Sequence, residues 1–312
     1  MSLKRYLRSG LAVLAIMVFA AGRGSAAGAQ MASSGEKSSA ASQAQALHLP
    51  AIPKQLVREV MQNELKATDV NERFQYRGRR QTPKGSQTKD YVETVDGIVA
   101  RLIAINDAPL TAEQLKKEDE RLKKLLTDPS MQQKRRKQQQ EEEDRVKRML
   151  NAMPDAFNYQ YAGIEQSDNG PVVRLTFSPN PNFNPPSRET EIYRGMDGTM
   201  LINANDRRLV EISGTLFQDV NFGWGIFGRL DRGGRFVVKQ SKIGRNRWET
   251  TQMNLRFTGK VLLFKSLNIN EQETESDFRT ASGNLTLAQG VQLLQRQSPV
   301  VALKNGERAT SQ

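Results

Sequence analysis

Apolar positions recur along this chain with two different periods, and the switch between them outlines the architecture. Pro53 suits a first helical position, and Leu56, Val60, Met61, Glu64 and Leu65 follow at the spacing of one helix face. This predicts a short amphipathic helix from Pro53 to about Ala67. Next, "RFQYRGRRQT" and "KDYVETVDGIVARLIAIN" are β-rich or alternating runs broken by Pro83, Gly85 and the turn pair Asp96-Gly97, the pattern of paired strands. At Thr111 the period returns to helical. Thr111 and Gln114 have capping-box spacing, and Leu115, Leu122, Leu125 and Leu126 mark a face that runs to Asp128-Pro129. Beyond that proline a second helix of strong helix formers runs to Pro154. Its apolar residues, Val146, Met149, Leu150 and Met153, gather at its end, and its blocks Lys134 to Lys137 and Glu141 to Asp144 read as solvated faces.

From Ala156 to Arg279 the period is two. Phe157, Tyr159 and Tyr161 alternate with polar residues, as do Val173, Leu175 and Phe177, then Val210, Ile212, Gly214 and Leu216, then Met253, Leu255 and Phe257. Asp168-Asn169-Gly170, Asp197-Gly198, Asn205-Asp206, Gly233-Gly234 and Gly259 fall between the runs as turn signals, so the simplest topology is an antiparallel meander. "SPNPNFNPPS", Ser178 to Ser187, is too rich in proline for a central strand and reads as a loop or sheet edge. After Arg279 the pattern weakens, which predicts a loosely held tail over residues 280–312.

Composition adds location. Lys4, Arg5 and Arg8 precede the apolar run Leu11 to Gly22, and Ala27 to Ala29 supply small residues for cleavage, so residues 1–29 read as a secretory signal peptide and the protein as periplasmic. The run is near 12 residues, against the ~20 a spanning helix requires. Residues 30–49 are Ser, Ala and Gln with little to bury, a flexible leader before a single domain at 50–279. There is no cysteine, so no disulfide is available and stability must come from burial. Removal of Lys4, Arg5, Arg8 and Arg23 takes the formal charge from +12 to +8, an excess that suits an anionic membrane surface. Export argues against nucleic acid as the partner, and no nucleic-acid motif has its expected spacing.

The single histidine, His48, lies in the leader, so Ser-His-Asp and Cys-His systems and soft metal clusters have no parts, and no cofactor is implied. Carboxylates such as Asp197, Asp206, Asp219 and Asp231 remain, but Asp beside Gly is also what hairpins require. The reading is of a protein that is not an enzyme.

One stretch stands apart. "GTLFQDVNFGWGIFGRLDRGGRF", residues 214–236, holds six glycines among apolar rings. Glycine within strands marks bends or close backbone approach. Gly223, Gly225 and Gly228 therefore predict a curved segment, with Phe222, Trp224 and Ile226 on one face and Phe227 opposite. The inner face of such a sheet is either ordinary core or a half-open surface for acyl chains, and an outer-membrane barrel hairpin has a similar composition. Cations crowd the following segment, Arg229, Arg232 and Arg235 through Lys265, either as a rim for an anionic headgroup or as the outer face of the same strands.

The order of a signal peptide, one amphipathic helix, strands, a helical interruption and a long meander containing "GTMLINANDRRLVEISGTL" resembles the periplasmic lipoprotein-carrier superfamily, the LolA/LolB-like group. The resemblance implies an α+β fold: a curved antiparallel sheet or incomplete β-barrel, with an N-terminal helix and a long helix pair inserted at 111–153. It also implies an apolar cavity for acyl chains under helices that act as a lid. On that basis the partner is a lipid or acylated protein. The ligand contacts are assigned to Phe222, Trp224, Ile226, Phe227 and Trp248, with Arg229 and Arg232 near the headgroup. The other reading is an envelope structural or regulatory protein with a closed core, whose charged helices dock a partner.

Overall fold

The computed structural model describes residues 49–66, 72–223, 227–245, 247–261, 265–281 and 283–297. The expected signal peptide and most of the leader therefore lie outside the described residues, as do Trp224 and Ile226. Four α-helices occur among them: α1 (Pro53–Lys66), α2 (Ala112–Thr127), α3 (Pro129–Ala156) and α4 (Leu287–Gln297), with a 3-10 segment at Arg188–Gly195. The first hairpins are β1 (Arg73–Thr82), β2 (Gly85–Thr94), β3 (Gly97–Ile105) and the two-residue β4 (Ala108–Pro109). After the helix pair come β5 (Phe157–Ser167), β6 (Gly170–Pro179), β7 (Met196–Asn203) and β8 (Arg208–Leu216). The series continues with β9 (Val220–Phe222), β10 (Gly228–Leu230), β11 (Arg235–Lys242), β12 (Trp248–Val261) and β13 (Lys265–Ala281).

Local chemistry sets the helix ends. The Thr111 hydroxyl accepts from the Gln114 backbone N–H while the Gln114 side chain accepts from the Thr111 N–H, closing the capping box that starts α2. Asp128 ends α2 and caps α3 by accepting from the Ser130 and Met131 N–H groups, with Pro129 at the first turn where its missing N–H costs nothing. These devices orient a helix of 28 residues, about 42 Å at 1.5 Å per residue. Near its start the Arg135 guanidinium donates to the Asp96 carbonyl in the β2–β3 turn. Its end buries Val146, Met149, Leu150 and Met153 in the main core.

All strands join one antiparallel sheet in the order β4-β3-β2-β1-β13-β12-β11-β8-β7-β6-β5, with the β9–β10 hairpin attached to β12 through β10. The meander is therefore not simple: the last strand returns to pair with the first, Arg73 opposite Ala281 and Gln81 opposite Gln272. β4 and β5 are the two edges and do not pair with each other, so the sheet is curved and open. The alternation read from the sequence holds, with β11 and β12 burying Phe236, Val238, Met253, Leu255 and Phe257 on the inner side.

Two of the turn signals lie instead inside strands. Asp197-Gly198 is in β7 and Gly259 in β12, because glycine also serves where backbones come close. Gly198 sits directly opposite Gly214, and a Cβ at Gly259 would run into the Arg229 carbonyl. The expected loose tail is also corrected over part of its length. β13 extends to Ala281, and α4 packs on β2 and β3 with Val291 and Leu294 only 2% exposed, in a second core with Val92, Val99 and Leu122. Four apolar residues in eleven sufficed once a sheet face was there to receive them. No helix among the described residues is long and apolar enough to cross a membrane.

Candidate ligand-binding face

The inner face of β5–β13 carries the main core, and helices cover it. Leu56, Val57, Val60 and Met61 of α1 are 0–1% exposed there, beside the end of α3. Polar contacts fix α1 at both ends. Arg208 at the start of β8 donates two bonds of 2.9 Å to the Glu64 carboxylate, which also accepts from the Leu209 N–H, and the Tyr161 hydroxyl donates to the Pro50 carbonyl at 2.7 Å. Glu64 stands on the apolar stripe of its own helix, the sequence signal that a buried cation had to answer it. Beside the first turn of α1 a groove of about 580 Å³ opens between α3 and the 178–187 loop, lined by Lys54, Arg148, Asp155, Asn182 and Phe183 among others. The Lys54 ammonium, 2.6 Å away, holds the Asp155 carboxyl below the usual carboxylate range.

The glycine and aromatic run is a hairpin tip, and that revises the predicted alternation. β9 ends at Phe222 and β10 begins at Gly228, which pair directly, leaving residues 223–227 as the connection. Gly223 has φ +54°, and a side chain there would meet the Phe227 ring. The Gly223 N–H donates to Glu191 and the Phe227 N–H to the Phe222 carbonyl. Phe222 points into the main core and is 4% exposed. Phe227 faces outward at 37% exposure, with the Arg188 guanidinium 3.8 Å above its ring. With a turn between them, the strand rule that separated 222 from 227 does not apply, though the two rings do end on different sides.

The cations divide as well. Arg229 is paired with Asp231 and Asp219, while the exposed Arg232 offers its backbone N–H to Asp219. Each of these carboxylates thus has a structural partner, as does Asp197, which accepts from Thr215. Arg256 and Lys260 alternate with the buried residues of β12 and project from the outer face, so they do not rim the inner one. Trp248 is 5% exposed at the opposite end of β12 from the hairpin, roughly 40 Å along an extended strand. Its indole N–H donates to Asp206, and it does not meet the other proposed residues. Phe217, 48% exposed, was not singled out in the sequence, although the inward series Ile212, Gly214, Leu216 puts the next residue outward.

No family profile matches this chain, and no curated protein matches it significantly. Among solved structures, a DUF1329 family protein from Desulfovibrio piger is similar at 12% identity and a TM-score of 0.32, covering 78% of this chain and 100% of that one. An outer membrane lipoprotein-sorting protein domain from Vibrio parahaemolyticus is similar at 7% identity and a TM-score of 0.30, with the same coverage. The second neighbour carries the lipoprotein-sorting description that the element order resembles, and at these identities the likeness concerns fold alone.

Proposed function

We propose that this chain is a non-enzymatic binding or carrier protein of the cell envelope, exported to the periplasm, whose ligand is a lipid or an acylated protein. One observation carries the reading: the apolar inner face of an open sheet is covered by a short helix, α1, in place of a second sheet. Its four buried side chains contribute roughly 6–12 kcal/mol at ~1.5–3 kcal/mol each. A sixteen-carbon acyl chain buried at ~0.8 kcal/mol per methylene gains about 12 kcal/mol. The two are of the same order, so a ligand can take the place of the helix without a large net cost. The groove between α1, α3 and the 178–187 loop is the corresponding way in. Phe222 lies on the inner face below the hairpin, with Trp224, Ile226 and Phe227 assigned to its tip and Arg229 and Arg232 beside it as headgroup contacts.

The test is native mass spectrometry of the protein recovered from its own envelope fraction, followed by organic extraction. A copurifying phospholipid or acylated peptide, lost in Trp224→Ala with the fold intact, is the expected result. A clean apo mass with no uptake of a fluorescent acyl probe overturns the carrier reading. If a protein then coprecipitates, the interaction role of the charged helices takes its place.

A further inference from the structure

We infer that one corner of the outer sheet face, built from β10, the start of β11, the end of β12 and the end of β8, docks on an anionic lipid bilayer. The argument begins with like charges placed directly across neighbouring strands. Arg235 of β11 lies opposite Arg256 of β12, and Arg229 of β10 lies opposite Lys260 of β12. Directly opposed side chains stand about 5 Å apart at Cβ, where like charges repel. The two pairs sit four residues apart on β12, about 13 Å, on one face. Only Arg229 is answered by carboxylates, Asp219 and Asp231. Arg235, Arg256 and Lys260 are exposed and make no ion pair or side-chain hydrogen bond among the described residues. A sheet face with no partner to meet would gain by alternating its charges, as Lys239 opposite Glu211 does one strand over.

A second observation fits the same corner. Three large apolar side chains are exposed among the described residues, and two of them, Phe217 and Phe227, are here. Phe217 directly follows β8, whose Thr215 pairs with Arg235, and Phe227 directly precedes Gly228 of β10. Exposed rings beside a closely spaced cation cluster are the two elements of surface attachment to a bilayer: rings enter the headgroup layer while cations meet lipid phosphates. A soluble polyanion would use the cations and leave the rings in water, which favours the bilayer as the occupant. This inference shares Phe227 and Arg229 with the carrier reading but does not require a cavity, and it is measured separately from ligand content.

The test is cosedimentation of the protein, as recovered from the envelope fraction, with vesicles of phosphatidylcholine containing a quarter phosphatidylglycerol, and with phosphatidylcholine alone. Binding to the anionic vesicles only, weakening as salt rises, is expected. The triple variant Arg235→Gln, Arg256→Gln, Lys260→Gln should lose binding on the order of 100-fold, about fivefold per cation. Since these changes relieve repulsion, its melting temperature should be equal or higher, which separates loss of docking from loss of fold. Phe217→Ala should weaken binding while leaving the salt slope unchanged. Absence of vesicle binding at low salt, unchanged binding by the triple variant, or binding to dextran sulfate without binding to vesicles would each overturn the proposal. Acyl-probe uptake unaffected in the triple variant would show that the two sites fail independently.

Discussion

Asp206 collects two donors from different strands: the Lys242 ammonium of β11 at 2.7 Å and the Trp248 indole of β12 at 2.9 Å. Burial pushes its carboxyl up, but these two bonds outweigh burial and hold it below the ordinary value. A lowered native value means that the contribution is complete above the unfolded carboxylate range, near ~4, and is lost as pH falls through the native value. Asp206→Asn should therefore cost about 1 kcal/mol at pH 7, discounted for the third of the side chain that is exposed, and the gap to the parent should close in acid. Urea unfolding at the two pH values measures this, with Trp248 fluorescence in a Trp224→Phe background as the local signal. The role of Trp248 was not legible in the sequence, since nothing in "NRWET" tells which carboxylate across the sheet will accept its N–H. The position of Glu64 was more legible: a carboxylate on an apolar stripe demands a cation, although only the fold names Arg208.

At the level of elements, α1 and the glycine pair of β7 and β8 decide how the inner face is shaped and covered. Glu64→Gln keeps the shape of the α1 anchor but removes the charge facing Arg208. It should lower stability by about 3 kcal/mol and raise proteolytic cleavage within α1. If α1 does exchange with the ligand, the same variant should take up an acyl probe faster. Gly214→Ala would place a Cβ 2.5 Å from the Asp197 carbonyl and 2.7 Å from the Phe236 ring, so one strand or the ring must move, at about 1–3 kcal/mol. Thermal melting measures it, and an unchanged midpoint would mean that the close approach of β7 and β8 relaxes freely. Elements with local punctuation were readable from sequence: the Thr111 box and Asp128-Pro129 set α2 and α3, and period-two runs marked β5, β6, β8 and β12. Glycine was ambiguous, because Asp197-Gly198 has turn chemistry and yet serves strand packing. The 222–227 run was misread as one bent strand because a single positive φ at Gly223, invisible in composition, turns it into a hairpin.

Over the whole molecule, the open sheet, its antiparallel pairing and its helical interruption follow from patterns within short windows, whereas the joining of its two ends does not. β1 and β13 share no signal that marks them as partners, and their pairing is reinforced by a buried cluster in which Arg247 bonds both Glu93 of β2 and Glu249 of β12. α4 was missed for the same reason, since its apolar face acquires meaning only against β2 and β3. The basic outer corner likewise depends on register: Arg235 and Arg256 are 21 positions apart and become a like-charged pair only when β11 and β12 align.

The return of β13 to β1 also orders events in time. The strand that locks the first three onto the rest is the last to be synthesised and the last to cross a membrane, roughly 200 residues after its partner. Contacts of such separation form slowly because a long loop must close first. Until Ala281 has emerged, β1 lacks its neighbour and the sheet cannot be completed. A chain wired in this way stays threadable for as long as it is being translocated, and sets into its final shape only on arrival.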